Sequence, residues 1–88
     1  MKEFTYMPEG VCSRCIHLAL EGKRIASVSF EGGCHGNLQG IAALVEGMPA
    51  AEVANRLRGI RCREKPTSCP DQLARALEKC LEQEITEP

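Results

Sequence analysis

The stretch Thr67-Ser68-Cys69-Pro70-Asp71-Gln72-Leu73-Ala74-Arg75-Ala76-Leu77-Glu78-Lys79-Cys80-Leu81 reads as a helix with a sharply defined start. Proline is favoured at the first helical position, where its missing N–H is no loss. That puts Cys69 at the cap and Asp71 in the first turn, where the helix dipole favours a carboxylate. Gln72, three residues after Cys69, can reach back as in a capping box. Leu73, Leu77, Cys80 and Leu81 recur at helical spacing and form an apolar stripe. Cys69 is therefore expected among unpaired backbone N–H groups, a setting in which a cysteine sulfur serves as ligand or nucleophile. Cys80, on the stripe, is read as a small buried hydrophobe.

Upstream of this helix, Arg56, Arg58, Arg61, Arg63 and Lys65 surround Cys62. No aromatic residues interleave with them for base stacking, so they read as a solvated helix end and loop. A short helix starting at Pro49 carries Val53, Leu57 and Ile60 on one face, and Gly47 ends the helix before it. That earlier helix places Leu38, Ile41, Ala42, Val45 and Met48 at helical spacing. It opens after Gly32-Gly33-Cys34-His35-Gly36-Asn37, where glycines permit positive φ and close backbone approach. Cys34 thus repeats the setting of Cys69. His35 is adjacent to Cys34, which makes joint ligation by the two awkward.

Further upstream the period changes to two. Ile16, Leu18 and Leu20 alternate with His17, Ala19 and Glu21; Ala26, Val28 and Phe30 alternate with Ser27, Ser29 and Glu31. With Glu21-Gly22-Lys23-Arg24 as the turn, this is a hairpin. His17 lies on the polar face and reads as solvated. Cys12-Ser13-Arg14-Cys15, just before the hairpin, has a spacing compatible with a zinc knuckle or a redox pair. Glu3 to Met7 is a short edge strand, ended by Pro8 and Gly10. The expected fold is α+β: a small antiparallel sheet, hairpin plus short edge strand, with three helices packed on one face. One domain should fill residues 1–88, with a core of about 6–82 and a frayed C-terminus over 83–88.

The 88 residues include no Trp, one Tyr and two Phe, so the core must be mostly aliphatic. A bound metal would help so small a chain, because its binding free energy adds to folding. A formal charge of −1 supplies no drive toward nucleic acid or an anionic membrane. No apolar run approaches the roughly 20 residues of a membrane span. Neither nucleic acid nor membrane is expected as a partner. The start, Met1-Lys2-Glu3-Phe4-Thr5-Tyr6, lacks the apolar core of a signal peptide, so the expected location is the cytoplasm. In that reducing compartment six cysteines point to metal binding or thiol chemistry rather than a disulfide framework.

Gly33-Cys34-His35-Gly36-Asn37-Leu38, Val45-Glu46-Gly47-Met48, Gly59-Ile60-Arg61-Cys62 and Thr67-Ser68-Cys69-Pro70-Asp71-Gln72-Leu73-Ala74 together resemble the TSCPD-domain family, in its small four-cysteine branch. The resemblance runs from about Tyr6 to Leu81. It implies that Cys12, Cys34, Cys62 and Cys69 are the recurring cysteines, with Cys15 and Cys80 outside the pattern. Related domains are appended to cobalamin-dependent ribonucleotide reductases, and free-standing members are often named ribonucleoside-diphosphate reductases by association. This chain alone is too short for the catalytic barrel of such an enzyme. More remotely, Cys12, the hairpin, Cys34 and a cysteine opening the last helix are similar to IscU/NifU-type iron–sulfur scaffolds. That likeness implies a scaffold-like fold, with Cys12, Cys34 and Cys69 holding a cluster or zinc and Cys62 as fourth ligand.

The expected function is a cysteine-ligated metal-binding module holding zinc or an iron–sulfur cluster, accessory to ribonucleotide reductase or iron–sulfur chemistry. The alternative is a metal-free thiol redox protein or ribonucleotide-reductase-associated domain, with Cys34 and Cys69 or Cys12 and Cys15 as the reacting pair. The expected partner is ribonucleotide reductase or an iron–sulfur or redox protein. Docking would use the Arg56–Lys65 surface.

Overall fold

Gly22, at φ +62°, turns the chain tightly back on itself. The computed structural model describes residues 2–11, 13–33 and 35–86, except the side chains of Ser13, His35 and residues 83–86. Strands β1 (Lys2–Tyr6), β2 (Ser13–Glu21) and β3 (Arg24–Gly32) precede helices α1 (His35–Val45), α2 (Ala50–Leu57) and α3 (Cys69–Thr86). The strands form one antiparallel sheet in the order β1-β2-β3. The expected α+β architecture is therefore the observed one. Helix α3 continues to Thr86, past the core boundary expected near residue 82.

The alternation in β2 sends Ile16, Leu18 and Leu20 inward, at most 2% exposed. Val28 and Phe30 of β3 join them opposite Leu18 and Ile16. The turn-proximal end of β3 departs from the expected alternation: Ile25, at 1% exposure, enters the core in place of Ala26. Leu20 pairs with Ile25, yet Ala19 pairs with Ser27, so Ala26 is an extra residue without a partner, a β-bulge. A second irregularity, at Arg14 between Ser13 and Cys15, compensates on β2.

Helix α3 lies between α2 and the sheet, with contacts to α2 and β2. Leu73 and Leu77 are fully buried, and Ala74 and Ala76, equally inaccessible, let both neighbours approach the α3 backbone. Burial of each large aliphatic side chain is worth about 1.5–3 kcal/mol. Helix α1 packs on β3 through the expected stripe, of which Leu38 and Val45 are buried. The corner between α1 and α2 is tied to the start of β3: Ile25 N–H donates to Met48 O at 2.9 Å and Gly47 N–H to Ile25 O at 2.7 Å. Gly47 takes φ +85° there, a conformation that favours glycine. Ile60, expected on the buried face of α2, lies beyond the end of that helix and is 41% exposed. Among the described residues no helix is long and apolar enough to cross a membrane.

Candidate metal centre

Helix α3 begins one residue earlier than its proline implies. Ser68 is the cap: its Oγ accepts the Asp71 N–H at 3.1 Å, and its carbonyl accepts the Gln72 N–H at 2.8 Å. Cys69 is the first helical residue and Pro70 the second. A serine oxygen accepts an N–H far better than a sulfur does, so Ser68 displaces Cys69 from the cap. The expected box through Gln72 is therefore replaced by a cap from Ser68 Oγ to the Asp71 N–H. Gln72 instead reaches outward, accepting the Glu9 N–H at 3.1 Å and donating to Thr67 Oγ1 at 2.9 Å.

Thr67, Ser68, Asp71 and Gln72 are all buried, and each is hydrogen-bonded. Asp71, 1% exposed, is the hub. It accepts from the Gly59 N–H at 2.7 Å, from the Thr67 hydroxyl, and from Arg75 Nε at 3.0 Å. Burial pushes its carboxyl up, but the bonds from Thr67 and Gly59 and the Arg75 charge outweigh this and hold it below the ordinary aspartate value. Ser68 Oγ donates to Ile60 O at 2.6 Å. The polar residues around Cys69 thus lash the loop after α2 to the start of α3. Through Gln72 they also fix the Glu9–Val11 segment, where a Cβ on Gly10 would stand 3.3 Å from Thr67.

Cys62 sits in that loop, exposed and free of any disulfide. Its N–H donates to Thr67 O at 3.1 Å and its carbonyl accepts the Lys65 N–H at 3.0 Å, closing a tight turn. Within the turn Arg63 holds φ +57°, the left-handed region that costs a residue with a Cβ about 1–2 kcal/mol. Arg63→Gly removes that strain, although glycine also has more conformational freedom to lose on folding. The variant should gain up to about 1 kcal/mol in denaturant unfolding, and an unchanged midpoint would refute strain at this turn.

Cys62 and Cys69 line one pocket of about 290 Å³, together with Val11, Asn37, Leu38 and Lys65. Cys69 is half-buried. Cys12 and Cys34 lie outside the described residues, as does the His35 side chain. Val11 precedes Cys12 in the chain, and Asn37 and Leu38 follow Cys34 within the first turn of α1. Cys80 is 4% exposed in the core cluster, as its place on the α3 stripe implied. The Arg56–Lys65 cations are exposed; Arg58 Nη1 pairs with Glu78 Oε2 at 2.8 Å.

A second group of donors was not apparent from sequence. Cys15 stands directly opposite Glu31 in the β2–β3 register, and His17 follows two residues along β2 on the same face. One ligand atom from each of the three lies within 4.8 Å of the others. His17 Nε2 and Glu31 Oε2 are in contact, with the side chains 44% and 57% exposed. The bond to His17 and that residue's charge, with the more distant Arg14, hold the Glu31 carboxyl below its ordinary value. His17, read as merely solvated, has partners. The Cys15-x-His17 spacing within a strand was the available signal; the cross-strand position of Glu31 was not.

The sequence profile of the TSCPD domain matches residues 2–81. Neither the curated proteins nor the solved structures return a match to the chain.

Proposed function

The chain belongs to the TSCPD-domain family, and on that premise we propose that it is a metal-binding module in which thiolates of Cys12, Cys34, Cys62 and Cys69 hold zinc or an iron–sulfur cluster. One observation carries the reading. Two cysteines from different segments, Cys62 of a hydrogen-bonded turn and Cys69 of a capped helix, open onto the same pocket. Chain neighbours of Cys12 and Cys34 supply other parts of its wall.

The donor set suits such a group. Soft thiolate sulfur selects zinc, iron–sulfur clusters and copper(I) over hard cations. Four thiolates around a divalent ion leave net negative charge, and Lys65 on the pocket wall supplies a cation against it. Zinc in a closed site would be structural, whereas a cluster would carry electrons. The resemblance to IscU/NifU-type scaffolds favours a group bound between the hairpin, the first helix and the last. The setting implied by the family resemblance is a protein accessory to ribonucleotide reductase or to iron–sulfur chemistry.

The test is metal analysis with an absorption spectrum, on full-length protein purified without oxygen. About one equivalent of zinc, or a cluster chromophore with matching iron and sulfide, is the expected result. Folded protein that emerges metal-free and cannot be reconstituted would overturn the reading. If its thiols then oxidise and reduce reversibly, the thiol-redox alternative takes its place.

A further inference from the structure

The geometry points to a second metal site, on the face of the sheet away from the helices: a zinc-class divalent ion bound by Cys15 Sγ, His17 Nε2 and the Glu31 carboxylate, with its fourth position open. This face is otherwise polar or small. Glu3, Thr5, Ser27, Ser29 and Glu31 are all exposed on it, and among the described residues the helices pack on the opposite face, with Ile16, Leu18 and Leu20. The group is separate from the pocket that Cys62 and Cys69 line, because Cys15 stands on the sheet face opposite the one on which the helices pack.

Three features argue for an ion rather than a chance surface pair. The donors are one sulfur, one imidazole nitrogen and one carboxylate oxygen, all of which zinc accepts and which no hard cation prefers as a set. They converge within 4.8 Å although they come from two strands. Their convergence depends on the bulge at Ala26. With the register of the turn-proximal pairs carried through, Cys15 would oppose Phe30 and Glu31 would point to the helix side. Cys15 is also a free thiol at 9% exposure, buried at the edge of a polar face, which a purely solvated residue would not be.

Three protein ligands and an open fourth place are what zinc sites with an exchangeable ligand have in common. Water, a small anion or a thiol would complete the tetrahedron. Arg14, whose charge reaches Glu31, works against the cation.

The experiment titrates full-length protein, its first metal retained, with Zn²⁺ and separately with Co²⁺. Wild type should take up one more equivalent of Zn²⁺ than His17→Ala. Loss of even an outer-shell partner weakens metal sites about 10–100-fold, so His17→Ala and Glu31→Gln should each weaken the added equivalent by about 100-fold or more. Cobalt in wild type should show a sulfur-to-metal charge-transfer band that Cys15→Ser abolishes. The His17 and Glu31 side chains are 44% and 57% exposed, so these variants keep the fold, and circular dichroism verifies it. Equal stoichiometry and affinity in wild type, His17→Ala and Glu31→Gln would overturn the site. Cys69→Ser separates the two metals. Loss of the resident metal with the titratable one kept supports both sites. A single metal lost in Cys69→Ser and kept in His17→Ala leaves only the pocket.

Discussion

With the proposed metal site, Cys69→Ser protein should be isolated without the metal that the wild type carries, while Cys80→Ala retains it in full. Structural zinc bound by small domains contributes about 10–16 kcal/mol of apparent binding free energy, so in the proposed site the loss of one thiolate of four is a large change. It should also lower the melting temperature markedly. That deficit should disappear when both proteins are compared after metal removal, because the lost stability resides in the metal and not in packing. Cys80, buried among Leu73, Leu77 and Ala76, has the opposite profile. Its truncation should cost on the order of 1 kcal/mol whether or not metal is present. Stoichiometry and melting of the two variants side by side decide the matter. Equal metal loss in both, or retention in both, would show that the cysteines are divided wrongly.

Asp71→Ala should damage the metal-free fold strongly, by about 3 kcal/mol. It leaves the buried Thr67 hydroxyl and the partly buried Gly59 N–H without the acceptor each now has. Against a total stability of about 5–15 kcal/mol, such a loss is readily measured by denaturant unfolding. The effect also has a pH signature. The Asp71 carboxyl titrates lower in the folded protein than in the unfolded chain. Its contribution is therefore complete above the unfolded value of about 3.9 and is lost as pH falls through the folded one. The gap between wild type and Asp71→Ala should be constant near neutrality and narrow in strong acid. A gap independent of pH would mean that Asp71 acts by shape and not by charge.

Much of the fold was legible because its signals are local. Ile16, Leu18 and Leu20 at period two, and Leu73, Leu77 and Cys80 at helical spacing, each reveal a buried face without knowledge of its partner. What failed were choices between neighbours of similar kind. Ile25 and Ala26 are both apolar, and only the pairing of β3 with β2 decides which of them enters the core. Ser68 and Cys69 both precede a proline closely enough to cap, and the oxygen wins. Ile60 continued the α2 periodicity past the point where Arg58, in extended conformation, ends the helix. For the site, Cys62 lies in a hydrogen-bonded turn and Cys69 at a helix start, the local settings that their sequence contexts implied. The grouping of Cys15, His17 and Glu31 could not be read, since strand register is a tertiary quantity and one unpaired residue changes it.

The bulge at Ala26 makes the open-face donor group a matter of parity as well as of residue identity. Cys15 and Glu31 meet because an odd residue is absorbed between them. A relative of the same length that keeps the cysteine, the histidine and the glutamate but pairs these strands without the bulge would present the glutamate to its hydrophobic core and have no such group at all. Conversely, a carboxylate one position away in a hairpin without the bulge would restore it. The inheritance of this chemistry is therefore to be traced by counting residues between strands, with gaps weighted as heavily as substitutions.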